Sequence, residues 1–239
     1  MKDWFYYLVY FLGSQPLLLT SSPVVLHRDR ARRKGAYLLA ATHFSPYDVA
    51  CLIKQTPRVL DFVSIVEAFR NPLAAWFLSK MGAFPLDRWK PDSPTVRTVL
   101  ERLRRGRVVA LFPEGHIRTE ETSVLVGGSL KSGIARIAKM AGVPIIPCVV
   151  VGTRAYHRAA AWVPRRRVRY GVIYGEPITV TEDPTGPEKS AFEERLRQTY
   201  QELFAELKAT MRARNLTAPW MQIGEGRSGP LSPVRGGEG

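Results

Sequence analysis

His43-Phe44-Ser45-Pro46-Tyr47-Asp48 sets an imidazole five residues ahead of a carboxylate. A carboxylate held on one ring nitrogen fixes the tautomer, and it supports the imidazolium formed when the other nitrogen takes a proton. That is the equipment needed to activate an alcohol nucleophile. In one unbroken helix the two side chains would point about 140° apart, so the pairing needs a turn between them, and Ser45-Pro46 supplies one. Asp48 also falls in the first turn of the helix that Ser45-Pro46 opens, where an acidic side chain supports the helix start, so both roles stay open. A second candidate is Phe112-Pro113-Glu114-Gly115, where the apolar run Val108–Phe112 ends in a turn. This turn would expose a carboxylate, and a glycine there lets a ligand approach the backbone closely. An ordinary strand-exit turn has the same composition.

These residues need a scaffold that brings them to one place. Ala36–Thr42 reads as a buried strand, so His43 falls at its carboxyl edge, where α/β sheets place ligands. Ser45 is the expected N-cap of the next helix, with Pro46 at its first position. Further strands are expected at Leu60–Ile65, Val108–Phe112 and Val143–Val151. The alternation Val168, Tyr170, Val172, Tyr174 marks a two-faced strand near a sheet edge. Helices are expected over Pro72–Met81, with Leu73, Trp76 and Phe77 on one face, from Ser93 to Gly106, over Leu130–Ala141, and from Ser190 onward with Glu193 as capping-box partner. Strands alternating with helices predict an α/β fold, a central sheet flanked by helices.

The balance of 35 Lys and Arg against 21 Asp and Glu gives a net charge of +14, which points to an anionic partner. Nucleic-acid readers add a recognition element or stacking platform to such charge. Neither is evident, so no nucleic-acid partner is expected. Cys51 and Cys148 stand in apolar runs without a CxxC partner, as buried reduced thiols of a cytosolic environment do. No Cys/His cluster has metal-ligand spacing. Trp4 to Leu26 carries no charge, but Gly13-Ser14-Gln15-Pro16 is expected to break it into pieces shorter than the roughly 20 apolar residues of a spanning helix. The segment is rich in aromatic residues and leads into Arg28, Arg30, Arg32, Arg33 and Lys34. An apolar wedge beside a basic cluster predicts peripheral or monotopic attachment to an anionic phospholipid membrane, on its cytoplasmic face. Residues 1–26 are therefore read as the membrane-associating segment, 27–214 as the catalytic domain and 215–239 as a disordered tail.

Four segments in order resemble the motifs of the PlsC-like glycerolipid (lysophosphatidic acid) acyltransferase family. They are His43 to Asp48, Gly82-Ala83-Phe84-Pro85-Leu86-Asp87-Arg88, Phe112-Pro113-Glu114-Gly115, and Val143-Pro144-Ile145-Ile146-Pro147. The resemblance implies the glycerolipid acyltransferase fold with a central mixed sheet. It also implies a reaction in which the free hydroxyl of 1-acylglycerol-3-phosphate attacks a fatty acyl thioester, on coenzyme A or acyl carrier protein, to give phosphatidic acid. His43 would take the hydroxyl proton and Asp48 would hold His43, with no covalent acyl-enzyme, no metal and no cofactor beyond the thioester co-substrate. Arg88 and Arg118 would bind the acceptor phosphate. Phe112, Pro113, Glu114 and Gly115 would line the acceptor site, Glu114 orienting the glycerol. Lys131 resembles a basic position after the third motif, and a solvated helix-start lysine fits it equally. Two departures stand out. Thr42 replaces the usual Asn of the first motif, and Arg118 stands one residue later than the usual Arg of the third. The second leaves an alternative acceptor open, another lysophospholipid or an amino-acid-linked lipid.

Overall fold

Tyr37–Ala41 and Ile145–Val151 are apolar along their whole length, the pattern of parallel strands covered on both faces. Every residue of both strands is buried. They lie at the middle of a seven-stranded sheet in a computed structural model that describes residues 3–86, 93–131, 133–164, 167–181 and 186–225. In chain order the elements are α1 (Trp4–Thr20), β1 (Val24–Leu26), β2 (Tyr37–Ala41), α2 (Tyr47–Gln55), β3 (Leu60–Ile65), α3 (Pro72–Lys80) and β4 (Ala83–Leu86). They continue with α4 (Ser93–Arg104), β5 (Val108–Leu111), α5 (Gly133–Ala141), β6 (Ile145–Val151), β7 (Gly171–Tyr174) and α6 (Gly186–Ala213). The sheet order is β1-β7-β6-β2-β5-β3-β4. All neighbours are parallel except β6 and β7. The sheet is therefore mixed, as expected, with helices on both faces. One core joins α4, α5 and α6 through Val99, Ile134, Leu203 and Phe204; the other, around Leu39, Cys51 and Leu52, receives α2 and α1.

Because β2 is flanked by β5 and β6 and all three run parallel, the segments leaving them meet at one edge. The first and third motifs thus come together although they are far apart in the chain, whereas the fourth, 143–147, enters β6 and pairs with Leu38–Ala40 toward the other end of β2.

The structure corrects several expectations. α1 runs unbroken through Gly13 and Pro16, with Thr20 Oγ1 donating to the Pro16 carbonyl. Among the described residues no helix is long and apolar enough to cross a membrane. Nor is residues 1–26 a separate piece. Arg107 reaches Asp3 at the start of α1, Tyr6 Oη accepts from the Leu60 N–H, and Ser22 and Val168 pair beyond its end. Arg28 donates to the Gln55 carbonyl and Arg30 pairs with Glu176, at the amino edge of β2 and opposite to His43. The helix expected at Pro72–Met81 forms as α3, which buries none of its side chains, so the face holding Leu73, Trp76 and Phe77 looks outward. The tail expectation fails from 215 to 225, where Pro219–Gln222 forms a short 3-10 helix that buries Trp220, with Ile223 buried just beyond it. Residues 226–239 lie outside the described residues.

Candidate active site

β2 ends at Ala41 and the chain turns sharply through His43 and Phe44 into α2. Thr42, where an Asn was expected, holds that exit in place. Its hydroxyl donates to the Val150 carbonyl and accepts the Val150 N–H, both at 2.9 Å, extending the β2–β6 ladder by one residue. α2 starts at Tyr47 with Pro46 as its N-cap, one residue later than the Ser45 cap expected, and Ser45 Oγ accepts from the Tyr47 N–H at 3.1 Å.

Asp48 turns back over this corner. Its Oδ2 accepts the backbone N–H groups of Phe44 and Ser45, at 2.7 and 2.8 Å, and lies 3.0 Å from His43 Nδ1. Both roles left open for Asp48 are therefore filled by one oxygen. A carboxylate can only accept, so the proton of a neutral His43 lies on Nδ1 and the lone pair on Nε2. Nε2 has no protein partner among the described residues. The imidazole keeps 13% of its surface open, whereas Asp48 is fully enclosed. Phe112 stacks flat on the His43 ring, centroids 3.9 Å apart and planes 16° from parallel. The ring is thus fixed by a hydrogen bond at one nitrogen and a stacking face, with the other nitrogen free.

The Phe112-Pro113-Glu114-Gly115 turn lies beside it. The expectation that Glu114 faces the acceptor's glycerol does not hold. Its carboxylate is buried, and its two oxygens accept from the backbone N–H groups of His43, at 3.1 Å, and Val124, at 2.8 Å. Burial pushes the Glu114 carboxyl above the ordinary carboxylate range, and those two donors oppose the shift. Glu114 is a clasp between the first motif, the third and the loop beyond. Pro113 is buried under this turn. Gly115 adopts φ +78°, and a Cβ there would stand 2.6 Å from Lys131 Cε, because the Lys131 stem crosses it. The Lys131 N–H donates to the Pro113 carbonyl, and the Arg118 N–H donates to the His43 carbonyl, both at 2.7 Å. The Arg118 guanidinium leans on Ser129 Oγ and the Glu114 carbonyl at 3.4 Å, and its buried Nε has no partner among the described residues. His43, Asp48, Phe112, Pro113, Glu114, Gly115, Arg118 and Lys131 therefore share one site. Arg88 lies outside the described residues.

Residues 23–151, more than half of the chain, match the family described as Acyltransferase. The chain belongs to this acyltransferase family. The acyltransferase is 27% identical, over 78% of its length and 90% of the other's, to a Bacillus subtilis protein named 1-acyl-sn-glycerol-3-phosphate acyltransferase. A Streptococcus pneumoniae protein of the same name is 28% identical, over 61% of this chain and 51% of that one. A Pseudomonas aeruginosa protein named lyso-ornithine lipid O-acyltransferase is 34% identical, over 41% of this chain and 40% of that one. The crystal structure of PlsC from Thermotoga maritima, a 1-acyl-sn-glycerophosphate acyltransferase, superposes with a TM-score of 0.63 at 19% identity, covering 85% of this chain and 80% of that one. That match establishes the shared fold.

Sequence reasoning missed one contributor to the acyltransferase site. Thr153, fully buried just beyond β6, donates its hydroxyl to Asp48 Oδ1. Its signal was a Gly-Thr pair leaving a buried strand, Ile145–Val151, that neighbours β2.

Proposed function

We propose that the acyltransferase moves a fatty acyl group from a thioester, on coenzyme A or acyl carrier protein, to the free hydroxyl of 1-acylglycerol-3-phosphate, giving phosphatidic acid. The observation that carries this reading is the His43–Asp48 pair, with Nδ1 on a buried carboxylate and Nε2 free. Nε2 takes the proton of the acceptor hydroxyl as its oxygen attacks the thioester carbonyl. The oxygen–carbon bond forms, the carbon–sulfur bond breaks, and the imidazolium returns its proton to the departing thiolate. Asp48 stabilises the imidazolium between the two proton transfers. The acceptor adds directly, so no acyl-enzyme forms. Phe112 fixes the ring, and Gly115 leaves room for the Lys131 stem to cross the turn. Arg118, with its unpaired Nε, and Lys131 hold the acceptor phosphate, and Arg88 joins them.

The acyltransferase works as a peripheral or monotopic protein on an anionic membrane. Supporting this, Trp4, Tyr7, Phe11 and Leu12 of α1 are largely exposed, as are Leu73 and Trp76 of α3. Phe5 joins the two helices through edge contacts to Trp76 and Phe77. An apolar surface of this extent marks an interaction site. The cytoplasmic face is in keeping with Cys51 and Cys148, which are buried and free.

A second acceptor has one observation in its favour, the likeness to the lyso-ornithine lipid enzyme. Incubating purified protein with acyl-CoA or acyl carrier protein thioester and a panel of acceptors separates the two. Preferred turnover of 1-acylglycerol-3-phosphate upholds the first reading, and preference for a phosphate-free lyso-lipid replaces it. His43→Ala abolishes transfer to either; retained turnover in that variant refutes the mechanism.

A further inference from the structure

Asp48 has four lone-pair sites, and the first motif accounts for the donors on one oxygen only. Phe44, Ser45 and His43 all approach Oδ2. Oδ1 points the other way, toward the strand beside β2, and there it receives the hydroxyl of Thr153. Both residues are fully buried, so no water competes for that oxygen. A carboxylate with one oxygen anchored can still swing about its Cβ–Cγ bond; anchored at both, it presents a fixed plane to the imidazole.

The chain makes a particular effort to place this hydroxyl. Gly152 turns the chain out of β6 in the left-handed region, φ +88°. A Cβ there would stand 2.4 Å from Trp220 Cδ1 and 3.0 Å from the Arg169 carbonyl, so only glycine fits beneath the indole. Trp220 is itself fixed, its Nε1 donating to the Arg169 carbonyl at 2.9 Å. The short C-terminal 3-10 helix thus presses on the turn that presents Thr153.

We infer that Thr153 is a positioning residue of the acyl-transfer site, its hydroxyl locking the Asp48 carboxylate in the plane that aims His43 Nε2 at the acceptor alcohol. The inference rests on His43 acting as base. Thr153 does not touch substrate, so its loss lowers kcat and leaves substrate affinity alone.

The test compares Thr153→Val, Thr153→Ala and Thr153→Ser with wild type and His43→Ala, measuring kcat and both KM values alongside thermal unfolding. Removing the hydroxyl in the Val and Ala variants lowers kcat by about 10- to 100-fold, as loss of outer partners of an active-site ligand does. Both KM values stay within about twofold, and Thr153→Ser, which keeps the donor, stays within about fivefold of wild-type kcat. A Val or Ala variant that folds and turns over at the wild-type rate overturns the inference. So does a Ser variant as slow as these, or a loss that falls on KM instead of kcat. Should the Val and Ala variants not fold, the Ser variant alone still decides, since a fall beyond fivefold in a folded protein removes the hydroxyl as the cause. Activity retained by His43→Ala would instead sink the underlying mechanism, so the two failures are told apart.

Discussion

Asp48→Asn is the most informative single change. The two backbone N–H groups on Oδ2, at 2.7 and 2.8 Å, decide how the amide sits. Placing the new NH₂ there would set donor against donor, so the amide oxygen takes the Oδ2 position and the NH₂ takes that of Oδ1. Thr153 can rotate its hydroxyl to accept. The His43 Nδ1 hydrogen bond survives, and with it the tautomer. What disappears is the negative charge 3.0 Å from the imidazolium formed during turnover. At an effective dielectric near 20 that attraction is about 5.5 kcal/mol at this distance, an upper figure. The retained neutral hydrogen bond offsets about 1 kcal/mol of the loss. The remainder corresponds to a fall in kcat of roughly three orders of magnitude. Thiol release from an acyl thioester at saturating acceptor measures it, with circular dichroism confirming the fold. A folded Asp48→Asn variant within tenfold of wild type would show that the charge does not stabilise the imidazolium, and the account of the pair would fall.

Other outcomes follow from neighbouring contacts. Glu114→Gln puts an NH₂ against one of two backbone donors, so its unfolding temperature falls. The raised carboxyl of Glu114 means the folded chain holds that proton more tightly than the unfolded one. Wild-type stability from this group is therefore full below the ordinary carboxylate range and declines as pH rises through the folded value. The advantage of wild type over Glu114→Gln should grow as pH is lowered through that range in thermal melts, and a constant gap would contradict the upward push that burial gives this carboxyl. Trp220→Ala empties a buried site against Gly152 and should cost about 3–5 kcal/mol in denaturant unfolding. Arg107→Met leaves the buried Asp61 with Arg102 at 3.5 Å as its remaining ion-pair partner and should cost about 3–5 kcal/mol by the same measurement. Replacing Phe11, Leu12 and Leu73 with Ser should weaken co-sedimentation with anionic vesicles while leaving the melting temperature nearly unchanged; undiminished binding would remove this surface from the membrane contact.

The strands that carry the site were legible because β2, β5 and β6 are short apolar runs ending in turn residues, and that composition has few other uses. The His43–Asp48 pairing was legible for a related reason, since a proline turn between them allows the side chains to meet. Burial by distant partners was not. Glu114 looks like an exposed turn carboxylate until Val124 and the His43 backbone are seen to occupy both its oxygens. Trp220 sits in a Pro- and Gly-rich stretch that reads as structureless, and only its docking on Gly152 shows otherwise. α3 was legible as a helix, but helical spacing reveals an apolar face without saying whether protein or something else covers it. Thr153 could be recognised only with the strand order in hand, which puts β6 beside β2.

The tie between Asp3 and Arg107, with Tyr6 and Leu17 sunk into the body, has a practical consequence for anyone preparing this protein. Trimming the greasy leading helix to obtain a better-behaved sample would uncover apolar sheet surface and strip Arg107 of one of its two acidic partners. Detergent or lipid that coats the outer side of the helix, leaving it attached, is the better route to a workable sample.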